Sequence, residues 1–438
     1  MKDILIANTE MRKSKHINMG WELENGQSRN QYMGFQQSRE GESLNLIPVI
    51  HDGNSHICTI GKTGSGKNVN MVTPILLDFV GAAIVLDVKP ELKTITARER
   101  RRIGKVVVLA PFSEEQGSFN PLDCLMLDPD IEITAQFLAS LIVVNSFGAR
   151  DPFWPLSAEA YLAGVIMIAM CDPNPENRNL RKVCEIMLSD DVVYSLAVIL
   201  DTRGKDIPRA AYQAISTLLQ TADVTRSGII ATAQAYLRIF NSEKVLSTLD
   251  SSSFSLNEFR LGKEPITIYI QIPAAYLESH ASLIRLWVGT LMKAITSRTS
   301  APDVPTLLVL DEAATLGTFS YLNTMICFCR GMGLITHTLW QDLSQIKSLY
   351  TNWETLLNNC TLQFFQTSSH LAAKAVSEVT GVPVRDIISM RTEDQLLVLS
   401  GGETKIVRKL NYLTDTLYAG KWDENPLINM SDKGLKRM

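Results

Sequence analysis

Long apolar runs are missing from this sequence. No stretch approaches the roughly 18 consecutive apolar residues of a bilayer-spanning helix. The longest candidate, residues 160–171, is closed by Glu159 and Asp172 and reads as a core helix. A secretory leader is not indicated either, because Lys2, Asp3 and Glu10 flank only the short Ile4-Leu5-Ile6-Ala7 run. Cysteine is sparse and unpatterned. The seven cysteines, at 58, 124, 171, 184, 327, 329 and 360, contain no C-x-x-C pair and are odd in number. That excludes a disulfide scaffold and a zinc motif, and leaves reduced, mostly buried thiols of a cytosolic protein. Basic excess is absent too: 42 Lys and Arg face 46 Asp and Glu, for a net charge of -4. Contact with nucleic acid would need a local basic patch or a pore built by assembly. There is no internal repeat and no low-complexity tract.

What is present is a chain of 438 residues, 45% hydrophobic, long enough for two or three domains and a large core. Its most informative stretch is Gly61-Lys62-Thr63-Gly64-Ser65-Gly66-Lys67-Asn68, which reads G-x-x-x-x-G-K. Residues 56–60 before it have the pattern of a short buried strand, and residues 69–79 after it that of a helix. Strand, glycine loop and helix together make a phosphate-binding loop. The glycines let the backbone turn tightly and approach phosphate oxygens. Loop and helix-start N–H groups supply an anion site, and Lys67 supplies a cation for the β and γ phosphates of ATP. Where the usual motif ends in Ser or Thr, whose hydroxyl ligates Mg2+, this chain has Asn68. An amide oxygen can also meet a hard cation, but more weakly and with more bulk.

Around this loop strand and helix alternate. Residues 82–88 form an apolar run typical of a strand buried on both faces; it ends in Asp87, followed by Lys89 and Glu91. Asp87 is either ligand-facing or a helix cap. Arg98, Arg100, Arg101 and Arg102 read as a solvated helix face rather than a nucleic-acid contact. A third strand spans 105–110. From 118–123 to about 253 the alternation stops, and helical periodicity covers 131–144, 157–170, 180–188, 192–200, 210–219 and 227–240. This predicts an all-helical insertion over 122–253; the turn at 151–154 carries Phe153 and Trp154, whose commoner meaning is core anchoring and whose alternative is a partner contact. Strands then resume at 265–273, 305–312, 334–340, 361–366 and 395–400, the last in the chain. The expected organisation is α/β, a RecA-like phosphate-loop domain over 41–121 and 254–425 carrying that insertion. A loosely packed polar lead-in occupies 1–40 and a tail 426–438, and residues 44–50 form an edge strand or hairpin.

The strand Leu307-Leu308-Val309-Leu310 ends in Asp311-Glu312. Beside a phosphate loop this is the second half of a nucleotide hydrolase site: Asp311 holds Mg2+, and Glu312 orients and deprotonates the attacking water. Gln341 ends the following strand, where it can sense the γ phosphate. Arg330 precedes that strand. Spacing alone makes it a surface ion pair before it makes it an arginine finger.

With those residues in view, the sequence resembles the TraG/TraD coupling proteins of type IV secretion and conjugation. The matching pieces are GKTGSGKNV, VLDVKPE, FNPLD, DPFW, RLGKEPITIYIQIP with LIRLW, LLVLDEAATLG, GLITHTLWQDLSQI, NNCTLQFFQT with EVTG, and LNYLTDTLYAG. They run in order from about residue 35 to 425. The resemblance implies a RecA-like domain interrupted by a helical domain that recognises substrate, and a hexameric ATPase using ATP and Mg2+. Its implied substrates are DNA, a relaxase–DNA complex or protein, delivered to a type IV secretion channel. Arg330 then matches the family's arginine finger and Gln341 its γ-phosphate sensor. Two departures stand out. Members usually begin with transmembrane helices that this sequence lacks: either it docks on a membrane-anchored partner, or it is a soluble variant, or the ordinary anchor has been lost or removed, and the expected location is the cytoplasmic face of the bacterial inner membrane. Asn68 is the other, at a position where the family is itself loose. Two alternatives stand beside this reading: a nucleotide-dependent receptor or scaffold that hydrolyses slowly or not at all, and an FtsK/HerA-like DNA translocase, which the helical insertion fits less well.

Overall fold

The computed structural model describes residues 16–23, 46–143 except 52 and 54, and 151–425 except 368. Eleven strands form one sheet in the order β2-β1-β11-β10-β9-β3-β8-β7-β4-β6-β5. They are β1 (Ile17–Leu23), β2 (Leu46–His51), β3 (His56–Ile60), β4 (Ala83–Leu86), β5 (Lys105–Leu109), β6 (Ile266–Ile270), β7 (Thr306–Leu310), β8 (Leu334–Trp340), β9 (Cys360–Phe365), β10 (Asp394–Val398) and β11 (Thr404–Arg408). From β9 to β5 every neighbouring pair is parallel. From β9 through β10, β11 and β1 to β2 every pair is antiparallel. The parallel strands β3, β4, β6, β7, β8 and β9 are buried at every position, as expected of strands covered on both faces.

The first helix, α1 (Thr73–Asp78), continues a π-helical turn, Asn68–Val72, whose Thr73 N–H donates to the Asn68 carbonyl. Then come α2 (Glu91–Ile103), the inserted helices α3 (Ile131–Ile142), α4 (Phe153–Met170), α5 (Leu180–Met187), α6 (Val192–Arg203), α7 (Arg209–Gln220), α8 (Asp223–Leu237) and α9 (Glu243–Leu246), and α10 (Leu256–Leu261) and α11 (Ala281–Thr296). After β7 follow α12 (Ser320–Phe328), α13 (Leu343–Leu349), α14 (Trp353–Asn358), α15 (His370–Thr380) and α16 (Val384–Ile388). Helix α4 is long and apolar enough to cross a membrane by length and composition alone. It is instead the buried centre of the helical insertion, packed against α3, α5, α7 and α8. Gly164 faces Ala214 of α7 so closely that a Cβ there would come within 3.0 Å.

The chain leaves and re-enters the α/β part at one place. Phe119 N–H donates to Thr248 O and Ser253 N–H to Ser118 O, both at 2.8 Å. Gly289 of α11 lets Leu141 of α3 pack against backbone, and the Trp287 indole N–H donates to Phe119 O at 3.3 Å.

Three expectations need correction. Residues 17–23, read as loose lead-in, form β1, with Ile17, Met19 and Trp21 buried. Gly20 lets β1 close on its neighbours: a Cβ there would lie 2.8 Å from Arg408 O and from the Gln395 amide. Among the described residues one strand follows 395–400, namely β11. And Arg100 is not on a solvated face. It is fully buried and donates to Phe79 O, to Gly81 O and, at 2.8 Å, to Thr267 Oγ1, tying α2 to the sheet. Arg98 holds the C-terminal segment, donating to Asp423 and to the carbonyls of Gly420 and Trp422. The expected edge strand is present as β2, at the sheet's end. The tail 426–438, and most of the lead-in 1–40, lie outside the described residues.

Candidate functional site

Parallel topology decides where this site is. Strands β3, β8 and β7 lie side by side and point the same way, so the residues following them emerge together at one sheet edge. Those residues are Gly61–Asn68 after β3, Gln341 after β8 and Asp311-Glu312 after β7.

The loop itself is pinned at its base. Gly61 N–H donates to Trp340 O at 3.1 Å, and Ser65 N–H turns back to Lys62 O at 3.1 Å. Gly64 and Gly66 have φ of +78° and +86°, a region that penalises any Cβ. At Gly66 a Cβ would also lie 2.3 Å from the Asn70 amide nitrogen. Lys62, Thr63 and Gly64 form the exposed crest. The Lys67 ammonium donates to the Gly61 carbonyl across the loop. Burial holds its pKa below the ordinary lysine value, opposed by the charges of Glu312 and Asp311. A partly desolvated cation facing two acids gains most when a polyanion arrives.

Asn68 uses both hydrogens of its amide on carboxylates: Nδ2 donates to Glu91 Oε1 at 2.8 Å and to Asp311 Oδ2 at 3.2 Å. The atom left to meet a cation is its Oδ1. Asp311 is buried, and desolvation pushes its pKa up to about 6, with Asp87, Glu91 and Glu312 adding repulsion and Asn68 opposing it. Among the described residues, no group of three or more His, Cys, Asp or Glu side chains could hold a metal ion unaided. One carboxylate and one amide oxygen suit a cation that takes its other ligands from phosphates and water, as Mg2+ does. Asn68 and Asp311 would hold that ion, which would neutralise charge on the phosphates.

Glu312 carries backbone strain. Its φ of +70° is left-handed in a non-glycine residue that is not Asn or Asp, a cost on the order of 1 kcal/mol. Its Oε1 accepts from Gln341 Nε2 at 3.0 Å, so the expected base and the expected sensor are in direct contact. Arg330 is not brought to this site. It is exposed and precedes β8, at the end of that strand opposite Gln341. Seven residues at about 3.3 Å each put it roughly 20 Å away in its own chain. In cis it cannot reach the phosphates.

Asp87 proves to be a structural cap. Fully buried, it accepts from the Leu92 and Lys93 N–H groups at the start of α2 and from the Gln271 amide. Glu91 was the missed residue. It lies in the quoted VLDVKPE stretch, yet spacing alone gives no sign that it reaches Asn68.

The buried Asp311 carries a pH signature. Its pKa in the folded chain is above the ordinary value of 3.8, so between pH 4 and 6 the folded state holds more protons than the unfolded one. In metal-free protein Asp311 therefore adds a contribution to stability that grows as pH falls from 7 towards 5. Asp311→Asn should flatten that slope and raise the neutral-pH melting temperature, by differential scanning fluorimetry without Mg2+. An unchanged slope would show the carboxyl to be ordinary.

Comparison with known proteins settles the family. The family model for type IV secretory system conjugative DNA transfer matches residues 5–389. The chain belongs to that family. A conjugal transfer protein TraG of Escherichia coli is 26% identical over 375 residues, covering 80% of this chain and 58% of that protein. The type IV secretion system-coupling protein VirD4 of Bartonella quintana is 24% identical over 285 residues, covering 62% of this chain and 43% of its own. The chain thus spans about half the length of such relatives. Among solved structures, the bacterial conjugative coupling protein TrwBdeltaN70 with sulphate superposes with a TM-score of 0.64 at 16% identity, covering 81% of this chain and 85% of that one. The plasmid coupling protein TrwB with ADP and Mg2+ gives 0.62 at 15% identity, covering 83% and 87%. These neighbours establish the RecA-like fold of this family member.

Proposed function

We propose that this family member is a coupling ATPase. It binds ATP with Mg2+ and uses hydrolysis to recruit DNA, a relaxase–DNA complex or a protein substrate and drive it to a type IV secretion channel. The observation that carries the reading is the convergence at one sheet edge: Asn68 of the loop bonded to Asp311, and Gln341 bonded to Glu312. In the reaction, Lys67 and the loop N–H groups bind the β and γ phosphates. Asn68 and Asp311 position the metal. Glu312, held by Gln341, takes the proton of the attacking water, and the Gln341 amide reports the γ phosphate. The solved TrwB structure with ADP and Mg2+ supports this chemistry by fold analogy.

Arg330 is the residue that supports assembly in this reading. The family resemblance assigns Arg330 as an arginine finger, and a guanidinium roughly 20 Å from its own site would fill that role at the site of a neighbouring copy, as in a ring. A homo-hexamer at the cytoplasmic face of the inner membrane, held by a membrane-anchored partner, is the arrangement we infer. The helical insertion 122–253 is the part we assign to substrate recognition. Expected behaviour is a specific ATPase rate that rises with protein concentration and rises further with single-stranded DNA. Asn68 gives weight to a second reading, a receptor that binds nucleotide but barely hydrolyses it. Tight ATP binding with negligible turnover at every concentration, with or without DNA, would select that receptor.

A further inference from the structure

The C-terminal segment 411–425 lies beyond residue 389, where the family model's match ends. It nevertheless reaches the nucleotide site. Tyr412 N–H donates to the Val69 carbonyl inside the π-helical turn, and Asp423 N–H to the Ile95 carbonyl in α2. Leu77, Ile95, Tyr412 and Tyr418 bury a small separate core against which Val69 and Trp422 pack. Lys421 pairs with Asp78 at 2.5 Å. At the end of this strap Asn425, itself buried, donates through Nδ2 to Glu91 Oε2 at 2.9 Å. The other oxygen of the same carboxylate, Oε1, accepts from Asn68.

We propose that Asn425 is a positioning residue of the nucleotide site, acting through Glu91 on Asn68. A carboxylate has two equivalent oxygens and rotates freely unless both are held. With Oε2 held by Asn425, Oε1 is presented to the Asn68 amide. That amide must then turn its N–H groups towards Glu91 and Asp311, which directs Oδ1 away from both acids. A hydroxyl at position 68 would have one rotatable hydrogen and need no such orientation. An amide has two different ends, and only one of them can face a cation. The strap supplies the orientation that the substitution of Asn for Ser or Thr makes necessary. This inference rests on the reading of the loop as a Mg2+-nucleotide site.

The test is fluorescent ADP binding to the full chain, titrated with Mg2+ and repeated in EDTA. Asn425→Ala should raise the Mg2+ midpoint about threefold to tenfold, the scale of one ordinary intramolecular hydrogen bond, with ADP affinity in EDTA unchanged. Asn425→Asp, which sets a like charge against Glu91, should raise it further. In a Glu91→Ala background Asn425→Ala should have no added effect. Lys421→Ala also loosens the strap but touches neither Glu91 nor Asn68. It should lower the melting temperature and leave the Mg2+ midpoint where it was. An unchanged midpoint in Asn425→Ala, or a shift that persists without Glu91, overturns the proposal while leaving the nucleotide site standing. Failure of the unaltered chain to bind ADP under any condition would remove both.

Discussion

Lys67→Ala is expected to abolish ATP hydrolysis and weaken nucleotide binding by about tenfold to a hundredfold, the scale of one charge-assisted hydrogen bond of roughly 1.5–3 kcal/mol. Turnover falls further than binding, because the transferred phosphoryl group draws more on the cation in the transition state than in the ground state. The fold should survive. The lysine's bond in the structure is to the carbonyl of Gly61, within the loop itself. Removing it also removes a partly desolvated charge whose pKa burial already depresses. The melting temperature without nucleotide should therefore be unchanged or slightly higher, while the stabilisation conferred by Mg2+-ATP disappears. Circular dichroism and thermal shift separate the two. Hydrolysis persisting in this variant would remove the loop from the chemistry.

Glu312→Gln is expected to lower kcat by about 10²- to 10⁴-fold, the range typical of losing a general base. ATP affinity should be retained or improved, since one negative charge near the phosphates is gone. Glutamine preserves the shape and can still bond Gln341, so packing is not the variable. The backbone adds an argument for function here. A glycine at 312 would relieve the left-handed strain, and the chain instead keeps a carboxylate there at an energetic cost. Glu312→Gly should accordingly raise stability while losing turnover. Single-turnover hydrolysis with a binding isotherm on the same samples checks the pair. An unaltered kcat in Glu312→Gln would assign proton transfer to another group.

Legibility in the sequence followed the physics of each element. Strands β4 and β7 are nearly continuous apolar runs closed by Asp87 after Leu86 and by Asp311 after Leu310, and β3 and β8, closed by Gly61 and Gln341, are buried throughout because both faces of the sheet are covered. Helices α3, α5 and α7 are legible by their period, whereas α4 is apolar nearly all round and is legible by its length. Strands β1 and β11 are not. They belong to the antiparallel flank; β11, read Thr404-Lys405-Ile406-Val407-Arg408, exposes one face, and β1 is interrupted by Asn18 and Gly20, so neither makes an apolar run. Arg100 looked like its three charged neighbours. Only the tertiary fold brings carbonyls from 79 and 81 around it. At the site, loop and strand-end acids were readable because their spacing is local. The pairing of Asn68 with Glu91, and of Glu91 with Asn425, joins residues that no sequence period connects. The π-helical turn after Lys67 is likewise invisible to a 3.6-residue pattern.

The most direct test of the account is a mixture of two inactive proteins. Lys67→Ala lacks a working site but keeps Arg330; Arg330→Ala keeps the site but lacks the arginine. Each alone should hydrolyse ATP at background. Mixed in equal amounts and allowed to assemble with DNA, random placement around a ring sets an intact site against an intact arginine at about a quarter of the interfaces, and activity should return to roughly that fraction of the unaltered chain. A mixture that stays at background, or an Arg330→Ala protein that alone retains full activity, would contradict a site shared between subunits.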